Sequence, residues 1–195
     1  MKRREEKTRF ERRSFLKISL LAGGGVMLGL TTEHQAVAQG RGGPPAPPPD
    51  AHNFIKVAPD GRSYVVTMES SNNYLVLDGD FRVVKSVATA LGPYGIAFDR
   101  TGKRIVVAAA RASRLEVFDA RTHGRIAEIP VGKRCWHFGF TPDESRLLAA
   151  CGRSNDLVVV DAASYQVVKT LPGFATPWGV VSYPRASGSL DAPAR

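Results

Sequence analysis

Few residues of this 195-residue chain have types suited to chemistry, and those few fall at regular intervals. Tyr94, Trp136 and Trp178 stand 42 and 42 residues apart, as do Gly95, His137 and Gly179, and Arg111 and Arg153 are separated by 42. Rings at this interval would supply stacking surfaces, the imidazole a proton donor or acceptor, and the two arginines occupy equivalent places in successive units. What is missing narrows the chemistry. The sequence holds no G-x-S-x-G nucleophile elbow, H-E-x-x-H helix, phosphate-cradling glycine loop or haem-attaching C-x-x-C-H. A metal centre needs three or four converging donors, and His52, bordering the proline-rich spacer, and His123, in an outer turn, complete no cluster with His137. No catalytic residue, metal ligand or cofactor is therefore assigned from these residues.

An interval of 42 requires elements that recur. Pro93 to Asp119 reads PYGIAFDRTGKRIVVAAARASRLEVFD; its plan returns from Cys135 to Asp161 and precedes it from Ala51 to Asp78. Asp78, Asp119 and Asp161 lie 41 and 42 apart. Within a unit, short apolar runs alternate with turn signals: 96–98, the polar turn 99–103, 105–110, the loop 111–114, Leu115-Glu116-Val117-Phe118, the turn 120–124 and 125–131. Helical repeats of this length would show apolar spacings of three and four. The chain is thus predicted to be all-β, each unit a four-stranded antiparallel meander of the propeller-blade kind.

The order of motifs carries a resemblance. A Pro-aromatic-Gly start, an apolar strand, the turn Pro59-Asp60-Gly61, the strand Tyr64-Val65-Val66-Thr67, an Asn-containing loop and Leu75-Val76-Leu77-Asp78 together resemble the YVTN family of β-propeller repeats. The likeness covers residues 51–184. Arg100-Thr101-Gly102 and Pro142-Asp143-Glu144 keep only part of the Pro-Asp-Gly turn. The resemblance implies about three four-stranded blades, 51–92, 93–134 and 135–176, with Pro177–Pro184 as the first strand of a fourth. Ring closure normally takes four to eight blades, so an incomplete propeller is expected, either truncated or completed by another chain, and exposed blade faces predict self-association.

The resemblance also implies where a ligand would bind. In propellers the first strand of each blade lines the central channel, and the loop before it shares a face with the loop between the second and third strands. That face gathers Tyr94, Trp136, His137 and Trp178 with Glu69, Asn72, Asn73, Arg111, Arg114, Arg153 and Asn155. A residue repeated at the blade period usually fills the wedge between blades, so packing is the favoured role of the aromatic series and ligand stacking the other. His137 replaces a glycine, and both a structural and a ligand-binding role stay open. The expected function is a binding or interaction module for a protein or small-molecule ligand, without catalysis of its own. The alternative is a fragment of a propeller enzyme, since propellers of this appearance include quinoprotein and haem oxidoreductases and sugar lactonases.

Residues 1–38 read as a targeting leader. Arg12-Arg13-Ser14-Phe15-Leu16-Lys17 has the arrangement of a twin-arginine export signal, residues 18–30 form a weakly apolar run too short to span a bilayer, and Ala36-Val37-Ala38 supplies a cleavage site. The expectation is passage through an export translocase to the periplasm, with no stable membrane span. Residues 39–50, QGRGGPPAPPPD, read as a proline-rich spacer, and 185–195 as a disordered tail. Removing the leader's eight basic and four acidic residues leaves 19 basic and 14 acidic, a net of +5. That surplus is spread over turns without the aromatic-interleaved basic runs of nucleic-acid binders, and nucleic acid is not an expected partner.

The two cysteines complete the reading. Facing residues of an antiparallel hairpin have numbers of constant sum, and a turn centred near residue 143 sets that sum at about 286, which Cys135 and Cys151 satisfy. Facing positions are within disulfide reach, and export would place the pair in an oxidising compartment. A slip of one residue would turn the two to opposite faces and leave free thiols.

Overall fold

The structure, a computed structural model, describes residues 54–190; the predicted leader, with Arg12, Arg13, Ala36 and Ala38, and the proline-rich spacer lie outside the described residues. Everything described belongs to one compact unit, Gly43–Arg195. Twelve strands form three antiparallel sheets of four, each in chain order. The first holds β1 (Ile55–Val57), β2 (Tyr64–Met68), β3 (Asn73–Leu77) and β4 (Val83–Ala88). The second holds β5 (Pro93–Phe98), β6 (Arg104–Ala109), β7 (Arg114–Asp119) and β8 (Arg125–Pro130). The third holds β9 (Cys135–Phe140), β10 (Arg146–Cys151), β11 (Asp156–Asp161) and β12 (Val167–Pro172).

Burial follows strand position. In the second sheet β5 and β6 are buried almost throughout, because a neighbouring blade covers each of their faces, whereas β4, β8 and β12 are exposed apart from single residues such as Val87 and Ile129. The core therefore lies in wedges between blades. One wedge packs Val65, Tyr74 and Val76 against Ile96, Ile105 and Phe118; the other packs Val106, Leu115 and Val117 against Phe138, Leu147 and Val160. Each large side chain buried there contributes about 1.5–3 kcal/mol, so the wedges, and not the isolated sheets, hold the molecule together.

The recurring aspartates explain the turns. At the end of each third strand a carboxylate folds back onto its own turn: Asp119 Oδ1 accepts from the backbone N–H groups of Arg121 and Thr122 at 3.0 and 2.7 Å, and Asp161 Oδ1 accepts from Ala163 and Ser164 at 3.1 and 2.9 Å. These bonds hold both carboxyls below the usual carboxylate range. Each turn then passes through a left-handed residue, Phe81, His123 or Tyr165, at φ 61°, 61° and 59°. In the turn between the first and second strands the left-handed position is Gly61, Gly102 and Glu144. Glu144 accepts that less favourable backbone while its carboxylate takes a bond from the Arg100 N–H at 2.8 Å and another from the Ser187 hydroxyl.

Three expectations are corrected. Pro177–Pro184 forms no strand, because no second strand beside it offers a ladder among the described residues. Instead 173–190 is a strap laid along β9: the Val180 N–H donates to His137 Nδ1 at 3.2 Å and the Phe140 N–H donates to the Ser187 carbonyl at 2.8 Å. Residues 185–190 are accordingly placed, with Ser189 buried, where a disordered tail was expected. In the β9–β10 hairpin, Leu147 faces Phe140 and Ala150 faces His137, a register of 287 in place of 286. A bulge at Trp136 then shifts the ladder by one, so that Cys151 faces Cys135 and the two are joined by a disulfide.

Candidate functional site

The loops before the first strands and those between the second and third strands share one face, the top face. The Ala110 and Ala112 N–H groups donate to the Gly92 and Leu91 carbonyls at 2.9 and 3.1 Å; Gly152 and Arg153 donate to Arg134 and Lys133 at 3.1 and 3.0 Å. On this face side chains from successive blades converge. Glu69 follows β2, Tyr94 lies on β5, Arg134 precedes β9 and Trp178 lies on the strap. Arg134 Nη1 is 3.7 Å from Glu69 Oε1, and the Glu69 charge, after burial, raises the Tyr94 phenol above its ordinary value. The Tyr94 and Trp178 rings meet edge to face at 6.4 Å, with Phe54 at 5.0 Å from Tyr94 and 6.2 Å from Trp178. Trp178 stays 48 % exposed.

The aromatic series therefore splits. Tyr94 and Trp178 come together, whereas the Trp136 ring sits against its own blade at Gly152, where an added Cβ would fall 2.0 Å from Cζ3 of the indole. The second blade has Ala110 at the place of Gly152, so Tyr94 has no such seat and turns to the shared face. None of the three fills a wedge between blades; that role belongs to Tyr74, Phe118 and Phe138.

His137 is 2 % exposed. Its Nδ1 accepts from the strap, which puts the ring proton on Nε2. Burial, then the Lys56 charge, lower its pKa to about 4 against the opposing effect of a backbone hydrogen bond at Gly188. At neutral pH it is an uncharged packing residue with one nitrogen already engaged, and it offers no proton shuttle to the top face.

Asn72 and Asn155 are structural as well. Both are left-handed, at φ 53° and 56°, and their side-chain oxygens accept from the Gly92 N–H at 2.9 Å and the Thr176 N–H at 3.1 Å, tying each loop to the segment that follows the blade. Asn73 donates to Ser86 at 2.8 Å while its buried Oδ1 has no partner. Arg114 pairs with Glu128. Arg111 and Arg153 remain exposed, the Arg111 stem lying against Gly92. Among the described residues no group of His, Cys, Asp and Glu could hold a metal ion, and no helix is long and apolar enough to cross a membrane.

Sequence reasoning missed Phe54, Arg134 and Glu116. Phe54 faces Thr67 as His137 faces Ala150, so it occupies the same repeat position. Arg134 stands 42 residues after Gly92 and keeps its positive φ, 54° against 65°; a cation in a place suited to glycine was the available signal. Glu116 is wholly buried where the other blades have Leu75 and Val158, and accepts from the Ala90 N–H at 2.8 Å and Arg125 at 2.7 Å, pinning the linker between the first two blades.

On the bottom face, clefts of ≈ 340 Å³ and ≈ 270 Å³ open between successive blades at equivalent positions, roofed by His123 in the first and Tyr165 in the second. Their recurrence marks them as part of the blade junction.

With three four-stranded sheets meeting through their inner strands, solved structures of similar shape decide the architecture. The hydrazine synthase of Kuenenia stuttgartiensis is similar at TM-score 0.64 and 23 % identity over 73 % of this chain. The fold is that of a β-propeller. The periplasmic gluconolactonase of Pseudomonas aeruginosa follows at 0.57 and 23 % over 67 %, and a putative 6-phosphogluconolactonase of Bacteroides fragilis at 0.57 and 19 % over 65 %. This propeller chain spans only 42 %, 42 % and 40 % of their respective lengths. No protein-family model and no curated protein matches the sequence.

Proposed function

We propose that the chain is an exported propeller-repeat module that binds a ligand on its top face. The observation that carries this reading is the convergence of Glu69, Tyr94, Arg134 and Trp178 from three blades and the strap, leaving a half-exposed indole beside an ion pair. Binding is favoured over catalysis because the imidazole nearest the cluster is buried with its Nδ1 engaged. Titrating candidate ligands into a Trp136→Phe protein tests it, since Trp178 is then the only indole. A saturable fluorescence change that Tyr94→Ala removes is expected; a change that survives Tyr94→Ala would place the ligand elsewhere.

The second reading, a fragment of a propeller enzyme, draws on the hydrazine synthase and gluconolactonases of similar shape. A haem or quinone chromophore in protein purified from its native periplasm would favour it. Export and the periplasmic location rest on the Arg12-Arg13 pair and the Ala36-Val37-Ala38 site. Replacing both arginines by lysine should retain the precursor in the cytoplasm, and unchanged secretion would remove that part of the proposal. Self-association is supported by exposed apolar residues such as Val84 and Phe81, and light scattering of the exported protein tests it.

A further inference from the structure

The top face carries more positive charge than its own contacts use. Arg111, Lys133 and Arg153 lie exposed on its loops and make no ion pair or side-chain hydrogen bond among the described residues. The acids of the same loops are already engaged: Glu69 with Arg134, and Asp156 with the Ser154 hydroxyl at 3.0 Å. The loops adjoin, because Arg153 N–H binds the Lys133 carbonyl and Arg134 reaches Glu69 two blades away. Arg111 and Arg153 sit at the same place in successive blades, 42 residues apart, so the face presents cations at a blade-to-blade interval. The Trp178 indole offers one flat apolar platform on this side.

We infer that the ligand of this face is an acidic glycan, a polymer of uronate residues, with carboxylates meeting Arg111, Lys133 and Arg153 and one sugar ring stacked on Trp178. This rests on the top face being the binding surface. The cations belong to two blades, with Arg111 and Arg153 at the same repeat position, and cations on successive blades suit a polymer whose carboxylates recur along its length. Guanidinium forks bind carboxylates in a planar, two-pronged geometry. Nucleic acid fits less well, because single strands are held on successive stacked rings, whereas Tyr94 is edge-packed against Trp178 and leaves one platform.

Calorimetry of the full-length exported protein with sodium polygalacturonate, with its fully methyl-esterified form and with single-stranded DNA tests the inference. Expected are binding to polygalacturonate that weakens with added salt, a loss of about tenfold in Arg111→Ser/Lys133→Ser/Arg153→Ser, a loss of similar size in Trp178→Ala, and little binding of the esterified polymer. Equal binding of the esterified polymer that Trp178→Ala removes would overturn the acidic-glycan inference and leave the top face standing as a binding surface. Binding of polygalacturonate unaffected by either variant would overturn both. Tighter binding of DNA, or no binding of polygalacturonate, would overturn the inference, while the fluorescence titration with Trp178 still judges the face independently.

Discussion

The two faces of the blade array are built from loops of similar length, yet they use their carboxylates and aromatic rings differently. On the bottom face the carboxylates close their own turns: Asp60, Asp99 and Asp143 in the first turns, Asp78, Asp119 and Asp161 in the last. Cations there divide: Arg104 lies over the Tyr165 ring and Arg146 pairs with Asp161, whereas Arg100 and Lys103 make no ion pair among the described residues. On the top face, side-chain oxygens of Asn72 and Asn155 are spent on fastening loops, but three cations and half of an indole are left over. The difference teaches that a polar residue recurring at the blade period is punctuation when its bonds close within its own blade junction. Recognition is to be sought in groups that the fold does not consume.

The largest test breaks the top face covalently. Cys135→Ser/Cys151→Ser removes a link across a separation of 16 residues and should cost about 3 kcal/mol on the chain-entropy model. The loosening should be local. Hydrogen exchange is expected to quicken at the Gly152 and Arg153 amides, which bind the Arg134 and Lys133 carbonyls, and to stay unchanged at Ser164 on the bottom face. Equal acceleration at both would show that the bond supports the whole molecule and not one face.

A comparable effect should appear only in acid. The folded-state pKa of His137, about 4, lies below the ordinary value, so the unfolded chain takes up its proton first. The stability this histidine permits is therefore full above about pH 6.5 and lost as pH falls toward 4, by about 3 kcal/mol in all. His137→Phe, the ring that the first blade carries at this position, should flatten that slope. His123, whose pKa burial also lowers, is common to both proteins and cancels in the difference. Parallel pH–melting curves for the two would show that the strap does not shield His137.

Most of the architecture was legible because its signals are local and repeated. Turn residues at intervals of 41 and 42 give the blade, and alternation gives the strands. The strap was not legible: Pro177–Pro184 carries first-strand chemistry, but a strand needs a partner, and sequence pattern does not say where the partner is. The hairpin sum reached the right cysteine pair through a compensation. The true register is one greater, and the Trp136 bulge, permitted by the bare Gly152 beneath the indole, subtracts one. The candidate site was legible only in part. Tyr94, Trp178, Arg111 and Arg153 lie on the top face, whereas Asn155, Trp136 and His137 are taken up by loop fastening, by a seat on Gly152 and by the strap. Convergence of Glu69 with Arg134 depends on the angle between blades, which no spacing along the chain encodes.

A smaller effect should separate the bottom turns. The carboxyls of Asp60, Asp119, Asp143 and Asp161 are held below the ordinary carboxylate range by hydrogen bonds within the turn, Asp143 to about 2. Depressed values mean stability that is present above about pH 4 and declines as pH falls toward 2. Asp143→Ala should therefore melt below the unsubstituted protein at neutral pH and converge with it near pH 2. A gap of constant size across that range would assign the loss to packing instead of to the charge.

The smallest change in stability is expected where the largest change in binding is. Trp178 touches Phe54 and Tyr94 but half of its surface faces solvent, and it lies in neither wedge core. Truncation to alanine should then cost about 1 kcal/mol or less, as for substitutions outside the core. The strap keeps its fastening, because the bonds that hold it run from backbone groups of Thr176, Val180 and Ser187, not from the indole. Thermal melting of Trp178→Ala measures this directly. A loss of several kcal/mol would make the ring a structural clamp between strap and blades, and the top face would then hold its cations but no spare aromatic platform.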